Sequence, residues 1–508
     1  MPRFLLRTLV YAFLSAGLWS SPARAETDLL NPPQGVFLDD WYMLRVGGQH
    51  IGYLHMAMER LGGEIHTSTK MFMAIKRAGQ NLELTIHSGG RETLDGRPLA
   101  FDGRMKMAAM DNVVRGEVVN GKVRVISTQF GVSSEEEFDL PEGATMAWGI
   151  RRVTLRKGFK PGTKYAISAW EPSQSPGAVI PTTVEVMSRE PLELFGQTYD
   201  AIRIRSTMNI GGTEIVGAGW YDDEGNVLRS DLQIMGMEVQ QLKADRERAT
   251  TWDGGGEIMI DTLVRPDRQI DSKRAQRVKY RLTLTDGTQQ LSNLPTTGLQ
   301  RVLQTDGRSA VLVVQRQDHE DLKKNSGTLV RPPQQMQPFL AAGPMINWQD
   351  PEVIKMATEA RGDETNAYRL ADKLRRYVTD VIADKNLGVG FATASEVARN
   401  REGDCSEHGV LLAALGRANG IPSRVVVGLI YVDEFVGQKG VFGFHMWTQM
   451  YVDGQWVDLD AAMRETNCNP THIAVGTSSL QEEGLLELVG PLLKVIGNLQ
   501  IEVLEVDS

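Results

Sequence analysis

The chain has 508 residues, of which 41% are hydrophobic and 23% are charged, and its formal net charge is −9. These values are typical of a globular protein, and the length predicts about three domains. The acidic balance argues against nucleic acid as a partner, although it does not identify a substrate.

The first 25 residues predict a secretory signal peptide. Arg3 and Arg7 precede an apolar run that ends at Trp19, and the small-residue sequence ARA ends at Ala25. A basic start, a short apolar core and a small-residue site are typical of a cleaved signal, and the run is too short to serve comfortably as a membrane anchor. We therefore expect an exported protein of a bacterial cell envelope, periplasmic or secreted, with no stable membrane insertion after cleavage.

Residues 26–250 are predicted to form a large antiparallel β domain. Short runs such as KVRVIST and YDAIRIRSTM alternate apolar and polar residues, and GG, DG and NG turn signals separate them. Such spacing is typical of antiparallel strands in a large sheet, a sandwich or an open barrel. His66 and His87 are far apart with no cysteine nearby, so we interpret them as ordinary strand histidines.

Residues 251–276 are interpreted as a linker, because glycine-rich and charged stretches follow one another there. A small β domain is predicted over 277–340, with VKYRLTL and SAVLVVQRQ as strands. The period then changes, since NAYRLADKLRRYVTDVIAD places apolar residues three and four apart, which is helical spacing. Residues 341–508 are therefore predicted to be an α+β domain, and the fold class is multidomain, with antiparallel β regions preceding it.

Cys405, in the stretch REGDCSEHG, is predicted to lie in the first turn of a helix. Apolar residues between positions 410 and 418 form one helical face, and the helix ends at the NG of 419–420. With Asp404 as the N-cap, unpaired backbone N–H groups and the helix dipole stabilise a thiolate at Cys405. A buried structural cysteine is expected inside the apolar face instead, so the position favours a reactive thiol.

A predicted hairpin supplies a base and a carboxylate. His445 begins the strand HMWTQMYV, which a DG turn at 453–454 folds back into QWVDLDA. A two-residue hairpin loop places His445 opposite Ala462 and diagonal to Asp460, with the two side chains about 5–8 Å apart at their bases. Asp458 points to the same side of the sheet but lies about 7 Å further along. The register therefore selects Asp460 as the carboxylate that orients His445.

Cys405, His445 and Asp460 together supply the parts of a thiol acyl-transfer site. The thiolate attacks a carbonyl, the imidazole protonates the leaving amine, and the carboxylate fixes the tautomer of the imidazole. The backbone N–H of Cys405 is the expected oxyanion donor. His408 is interpreted as a helix-surface residue near the site. The alternative, a zinc site formed by Cys405, His408 and His445, lacks a fourth ligand, so no metal and no cofactor are expected.

The stretches GDCSEHGVLLAALGRANGIPSRVVVGLIYV and FGFHMWTQMYVDGQWVDLDA resemble the bacterial transglutaminase-like superfamily, whose core is papain-like, over roughly residues 350–475. The family's cysteine falls on Cys405, its histidine on His445, and its aspartate on Asp460, four residues after a tryptophan. Its R-x-x-GIP-x-R signature falls on residues 417–424. The resemblance implies a transglutaminase-like fold with these three catalytic residues.

The chain also departs from the family. Members usually have proline in place of Asp458 and Ala461, and these changes alter the turn more than the chemistry. A second oxyanion donor upstream of the cysteine is not obvious, and Asn386 is the candidate. No dense acidic loop resembles the calcium sites of animal transglutaminases. Arg417 and Arg424 are expected to order the fold rather than to contact substrate.

We therefore expect an exported cysteine enzyme that acts on the amide or peptide bonds of a protein or peptide substrate through an acyl-thioester. The resemblance to bacterial members favours hydrolysis over transamidation. The alternative is a non-catalytic envelope protein that binds a ligand or serves as a scaffold through its β domain. An exported chain with two cysteines suggests one disulfide, but a nucleophile must be free. We expect Cys405 and Cys468 to be thiols, with any bridge between them an inhibitory, reducible state.

Overall fold

The computed structural model of the chain describes residues 28–508 apart from 78–79, 108–109, 130–131, 211–212, 235–236, 252–261, 286–289, 292, 328–332, 384–391, 436, 482–490 and 493. The predicted signal peptide and Asn386 lie outside the described residues. The chain divides into two compact units, which are considered separately. Unit 1 comprises Met1–Lys76 with Asn81–Gly256, and unit 2 comprises Arg77–Gln80 with Glu257–Ser508.

Unit 1 contains long strands and two helices in its described part. The helices are α1 (Ala147–Lys157) and α2 (Arg246–Thr250). The strands, in chain order, are β1 (Gly35–Val46), β2 (Gln49–Leu61), β3 (Glu64–Arg77), β4 (Gln80–Thr93), β5 (Pro98–Met107), β6 (Met110–Val119), β7 (Lys122–Gln129), β8 (Val132–Asp139), β9 (Ala144–Thr145), β10 (Lys164–Ala169), β11 (Ile180–Leu194), β12 (Gln197–Ile210), β13 (Thr213–Tyr221), β14 (Val227–Ile234) and β15 (Met237–Ala244).

These strands form one fifteen-stranded sheet, in the order β8-β7-β6-β5-β4-β3-β2-β1-β15-β14-β13-β12-β11-β10-β9. Neighbours pair antiparallel wherever their register is described, except that β9 pairs parallel with β10. The predicted antiparallel β region is therefore confirmed, with its strands in a single sheet. His66 and His87 lie in strands β3 and β4, and each is 3.4 Å from a carboxylate oxygen, of Glu64 and Asp102 respectively.

One face of this sheet is buried, as the alternation of the sequence requires. Every second residue of β1 from Leu38 to Val46 is buried, while the residues between them are more exposed. Helix α1 adds Trp148, which is fully buried. Glu92 accepts hydrogen bonds from the backbone N–H groups of Trp148 and Gly149, at 2.7 and 2.8 Å, so a buried carboxylate satisfies the start of the helix.

Unit 2 combines helices with two smaller sheets. The helices are α3 (Glu320–Asn325), α4 (Pro351–Arg361), α5 (Ala367–Val381), α6 (Ala394–Asn400) and α7 (Cys405–Ala418), with a 3₁₀ helix at Gln334–Phe339. The strands are β16 (Arg277–Leu284), β17 (Gln300–Thr305), β18 (Ser309–Gln315), β19 (Ser423–Phe435), β20 (Gln438–Val452), β21 (Gln455–Asp460), β22 (Glu465–Thr466), β23 (Ile473–Ser478) and β24 (Leu499–Asp507).

A five-stranded sheet in the order β22-β21-β20-β19-β23 packs against helix α7. Helices α4, α5 and α6 also contact α7, and residues 406–417 of α7 are all buried. The sequence predicted a single apolar face for this helix, whereas in the structure other elements cover it on all sides. The helix predicted for NAYRLADKLRRYVTDVIAD is confirmed as α5. Helices α4 and α5 each begin at a capping side chain, of Asp350 and Asn366 respectively.

The second sheet of unit 2 has the order β17-β18-β16-β24. Three of its strands come from the segment predicted as a small β domain, and the fourth comes from residues 499–507, which pair antiparallel with β16. The two sheets of unit 2 share a hydrophobic core, in which the rings of Tyr280 and Phe442 are 6.0 Å apart. Of the predicted linker, 252–261 lie outside the described residues, and Val264 exchanges backbone hydrogen bonds with Phe442.

None of the helices in the described ranges has both the length and the apolar character that crossing a membrane requires.

Candidate active site

The start of helix α7 holds Cys405 at a fixed position. The Asp404 side chain accepts the Ser406 N–H at 3.0 Å, and Glu407 accepts the Asp404 N–H at 3.0 Å, which is a reciprocal capping box. Gly403 has φ +144°, and a Cβ there would lie 2.4 Å from the Glu407 side chain. Cys405 is half-buried, unlike the twelve fully covered residues that follow it. The predicted N-cap is confirmed, and the thiol is partly accessible.

The hairpin has the predicted register. Asp453 and Gly454 have φ values of 45° and 89°, which suit a two-residue turn with positive φ at both positions. Strand pairing runs from Val452 opposite Gln455 to Thr448 opposite Leu459. His445 and Asp460 therefore lie on the same side of the sheet, and His445 Nε2 is 2.6 Å from Asp460 Oδ2. Both side chains are almost fully buried, at 6% and 1% exposure.

His445 also interacts with the thiol of Cys405. Because one ring nitrogen contacts Asp460, the other is the one that can face the sulfur. Burial disfavours the charged imidazolium, but the charges of Asp460 and Cys405 outweigh burial and raise the pKa of His445 to about 10. Burial likewise disfavours the Asp460 carboxylate, yet His445 and His472 lower the pKa of Asp460 far below its ordinary value. His445 is therefore a charged imidazolium between the Cys405 thiol and an ionised aspartate.

Asp458 forms hydrogen bonds with Trp447 and Gln449 instead of His445. The indole N–H of Trp447 and the side-chain amide of Gln449 both donate to Asp458 Oδ1 at 2.8 Å. The Trp447 ring lies nearly parallel to the His445 ring, with centroids 6.3 Å apart and an interplanar angle of 18°. Burial raises the pKa of Asp458. This carboxyl group anchors the tryptophan next to His445 and does not contact the imidazole itself.

The structure adds a residue that the sequence interpretation missed. His472 precedes strand β23, and its Nε2 is 3.1 Å from Asp460 Oδ2, the same oxygen that contacts His445. Its side chain is 1% exposed. The stretch NPTHI gives no periodic or motif signal for this role. His472 reaches the site because β23 pairs with β19 in the same sheet as β20 and β21.

The prediction for His408 was wrong. Its side chain is buried, not on the helix surface, and its Nδ1 is 2.6 Å from the main-chain oxygen of Asp404. The reason is that α7 is enclosed by other elements on all sides, so every position of its second turn is interior.

The two signature arginines contact the fold itself, as predicted. Arg417 is buried and donates to three main-chain oxygens, those of Ala341, Ser423 and Ser479. The Arg424 guanidinium lies 4.1 Å from the centre of the Trp456 ring, and its Nε donates to the Gln449 side chain at 2.8 Å. Burial lowers the pKa of both guanidinium groups to about 10.

Two groups of side chains in the described residues are close enough to share a metal ion: His445 with Asp460 and His472, and Glu465 with Cys468 and His472. The zinc set considered from the sequence, which required Cys405 and His408, is not among these groups. In the first group the ligand atoms already hydrogen-bond one another, and in the second Glu465 accepts two hydrogen bonds from Asn469. Neither group is assigned a metal.

Cys405 and Cys468 are both free thiols. Cys468 belongs to the hydrophobic core of unit 2 and is fully buried. Burial, followed by the nearby charges of Asp460 and Asp458, raises the pKa of Cys468 well above its ordinary value. It is therefore a buried core thiol, and both cysteines are free in the structure, as the sequence analysis expected.

Residues 354–461 match the family model of the Transglutaminase-like superfamily. Comparison with curated proteins gives no significant match. Among solved structures, the chain is similar to a protein described as "a Putative Cysteine Protease" from Cytophaga hutchinsonii, at 16% identity and a TM-score of 0.33, over 46% of this chain and 92% of that one. It is also similar to a beta-barrel-like protein of a domain of unknown function from Brucella abortus, at 10% identity and a TM-score of 0.32, over 41% of this chain and 94% of that one. The family match spans Cys405, His445 and Asp460.

Proposed function

From the transglutaminase-like domain that residues 354–461 of this chain form, we propose that the protein is a cysteine enzyme that acts on amide or peptide bonds through an acyl-thioester. The proposal depends on one observation: His445 interacts both with the half-buried Cys405 thiol and with the buried Asp460 carboxylate. An imidazole between a thiol and a carboxylate holds the thiolate as an ion pair and prepares it for nucleophilic attack.

The first half-reaction forms the acyl-enzyme. The Cys405 thiolate attacks the carbonyl carbon of an amide, and the electron pair of the C=O bond moves to oxygen. The backbone N–H of Cys405 has no partner within its own helix because it lies in the first turn, so it can donate to that oxyanion. When the tetrahedral intermediate collapses, the C–N bond breaks, and the His445 imidazolium gives its proton to the departing amine.

The second half-reaction regenerates the thiolate. His445, now neutral, takes a proton from an incoming water, and the oxygen attacks the thioester carbonyl. The C–S bond breaks, the carboxylic acid product leaves, and the thiolate pairs again with the imidazolium. Throughout the cycle, Asp460 accepts the N–H of the other ring nitrogen and so keeps the imidazole in one tautomer. An amine in place of the water would give transamidation with the same residues.

We propose water as the acceptor, because the resemblance to bacterial members of the superfamily favours hydrolysis. We further propose a protein or peptide substrate and a site of action outside the cytoplasm, after removal of residues 1–25. The basic, apolar and ARA segments of the sequence support export. Fractionation of cells that express the full chain, with the mature N-terminus read by mass spectrometry, tests this localisation.

The experiment that tests the activity is mass spectrometry of a peptide library incubated with three proteins: the wild type, C405A and C468A. Hydrolysis yields cleaved or deamidated peptides, and transamidation yields peptide conjugates. We expect product with the wild type and with C468A, because Cys468 is a buried core residue that the proposed mechanism does not use. C405A should give no product while it unfolds cooperatively. Equal product with C405A would contradict the proposal.

A second candidate function is binding by unit 1, as in a non-catalytic envelope scaffold. The observation that favours it is a cleft between helix α1 and strands β10–β13, lined mainly by apolar side chains such as Ile150, Ile167 and Ile204, with the carboxyl of Glu171 among them. Burial raises the pKa of Glu171 to about 7. Filling the cleft with I204W should abolish function if binding is the working activity, and C405A should then leave function intact. If the protein is an enzyme as proposed, C405A should abolish function and I204W should leave it intact.

A further inference from the structure

Asp460 is held by two imidazoles at once. Its Oδ2 lies 2.6 Å from His445 Nε2 and 3.1 Å from His472 Nε2, and its Oδ1 accepts the backbone N–H of Met463 at 2.8 Å. All three ionisable side chains are at most 6% exposed. A Cys–His–Asp triad needs only one imidazole on its aspartate, so His472 has a contact that the proposed mechanism does not yet use.

His472 makes a hydrogen-bond contact through each ring nitrogen. Its Nε2 faces the Asp460 carboxylate, and its Nδ1 is 3.2 Å from the main-chain oxygen of Asn469. An ionised carboxylate only accepts hydrogen bonds, so the contact with Asp460 requires a proton on Nε2. His472 is therefore a second N–H donor to the oxygen that His445 contacts, and the four groups form a row from Cys405 through His445 and Asp460 to His472.

Other ionisable groups also surround His472. A carboxylate oxygen of Glu465 and the sulfur of Cys468 each lie within 4.8 Å of a ring nitrogen of His472. Asp458 is also nearby: His472 lowers the pKa of Asp458, although burial has the larger effect and raises it. The Glu465 oxygens accept from the Asn469 backbone and side chain, both at 2.7 Å. Hydrogen-bond acceptors and acidic groups therefore lie on more than one side of His472.

The position of His472 is set by packing rather than by a flexible loop. Asn469 Oδ1 accepts hydrogen bonds from the backbone and side chain of Thr471, at 2.9 and 2.6 Å. The main-chain oxygen of Pro470 accepts a hydrogen bond from the Tyr280 hydroxyl at 2.9 Å. The ring of His472 meets the Trp447 ring edge-on, with centroids 5.2 Å apart. Such support fixes the direction in which Nε2 points.

We propose that His472 is a positioning residue for the thiol site: its Nε2–H donates to Asp460 Oδ2, favours the ionised form of that carboxyl group and holds Oδ2 toward His445. The site is then a row of four groups, Cys405–His445–Asp460–His472. This inference deepens the proposed function and depends on it for any effect on turnover. The state of the thiol can be measured without a substrate, so the two claims can fail separately.

The test uses two variants. H472F keeps a ring against Trp447 but removes the N–H donor to Asp460, whereas H472Q restores an N–H donor on a side chain without a ring. The rate of Cys405 alkylation by iodoacetamide is measured from pH 4 to 10. In H472F, the pH at which the alkylation rate falls on the acid side should rise by about one unit or more, because Asp460 loses a hydrogen-bond donor that favours its ionised form. H472Q should lie between H472F and the wild type.

Turnover gives the second readout. With any peptide found to be cleaved, H472F should lower kcat on the order of 10-fold to 100-fold, by analogy with the residues that orient metal-binding histidines. KM should stay unchanged, because His472 does not contact substrate. If H472F and H472Q keep the wild-type alkylation profile, the proposal is overturned, whatever their melting temperatures. If the alkylation profiles shift as expected but no peptide is turned over by the wild type, the positioning role stands and the proposed function fails.

Discussion

The indole N–H of Trp447 donates to Asp458 Oδ1 over 2.8 Å, and this bond separates the roles of two aspartates that stand two residues apart. Asp458 fixes a ring beside the imidazole, while Asp460 contacts the imidazole directly. Both carboxyl groups are buried on the same strand, so burial alone does not distinguish them.

The two aspartates should therefore respond differently to the same substitution. D460N should slow acylation of the thiol on the order of 10⁴-fold, as in triads whose histidine takes the wrong tautomer. D458N should cost less than about tenfold, because an amide oxygen can still accept from Trp447 and Gln449. The burst of nitrophenolate from p-nitrophenyl acetate measures both rates. A larger loss in D458N than in D460N would show that the catalytic carboxylate has been misassigned.

The two cysteines should differ sharply in reactivity. In the unreduced native protein, iodoacetamide should label Cys405 rapidly and leave Cys468 unlabelled, since Cys468 is fully buried and burial raises the pKa of its thiol. Denaturation should reveal two thiols. Peptide mapping of the labelled protein, with C405A as the control, measures this difference. Rapid labelling of native C405A, or a single thiol after denaturation, would refute the assignment.

Both kcat and the free energy of unfolding should decline over the same alkaline pH range. The pKa of His445 is raised to about 10, above its value of about 6.5 in an unfolded chain. The stability that its proton contributes is therefore complete below about pH 6.5 and is lost as the pH rises to about 10. Deprotonated His445 also cannot protonate the leaving amine. The free energy of unfolding, measured by chemical denaturation, and kcat should both decline over this window. In D460N this decline should begin at lower pH, because the neighbouring charge is gone.

Arg417 should be a determinant of stability rather than of chemistry. Replacing it with methionine leaves the main-chain oxygens of Ala341, Ser423 and Ser479 without their donor. Each buried group that loses its partner costs about 1–3 kcal/mol, so R417M should lower the free energy of unfolding by about 3 kcal/mol or more. The control is R376M, because the Arg376 side chain is 67% exposed. R376M should change the free energy of unfolding by less than about 0.5 kcal/mol. Urea denaturation compares the two.

Local signals explain which parts of the site were predictable from the sequence. The Asp453–Gly454 turn fixes the strand register, and the register alone places Asp460 next to His445. Asp404 likewise marks the start of a helix by a local capping rule. These features depend on neighbours within about twenty residues, so the pattern of the sequence carries them.

The missed features depend on contacts that no local pattern encodes. His472 reaches Asp460 through the pairing of β23 with β19, and His408 is buried because distant helices close over α7. The sequence showed strands in 277–340 but not that their sheet is completed by residues 499–507. In each case the position of one element is decided by another element far along the chain.

That completion of the second sheet has a consequence for how the protein is made. Arg277 and Asp507, which lie at one end of the β16–β24 pair, are 230 residues apart. A ribosome that adds 5–20 residues per second needs roughly 10–50 seconds to cover that distance. Throughout this interval, one hydrogen-bonding edge of β16 has no partner, although β16 carries the apolar side chains of Val278, Tyr280 and Leu282. Open apolar edges recruit other strands, so we expect β16 to be open to incorrect pairing until β24 has been synthesised.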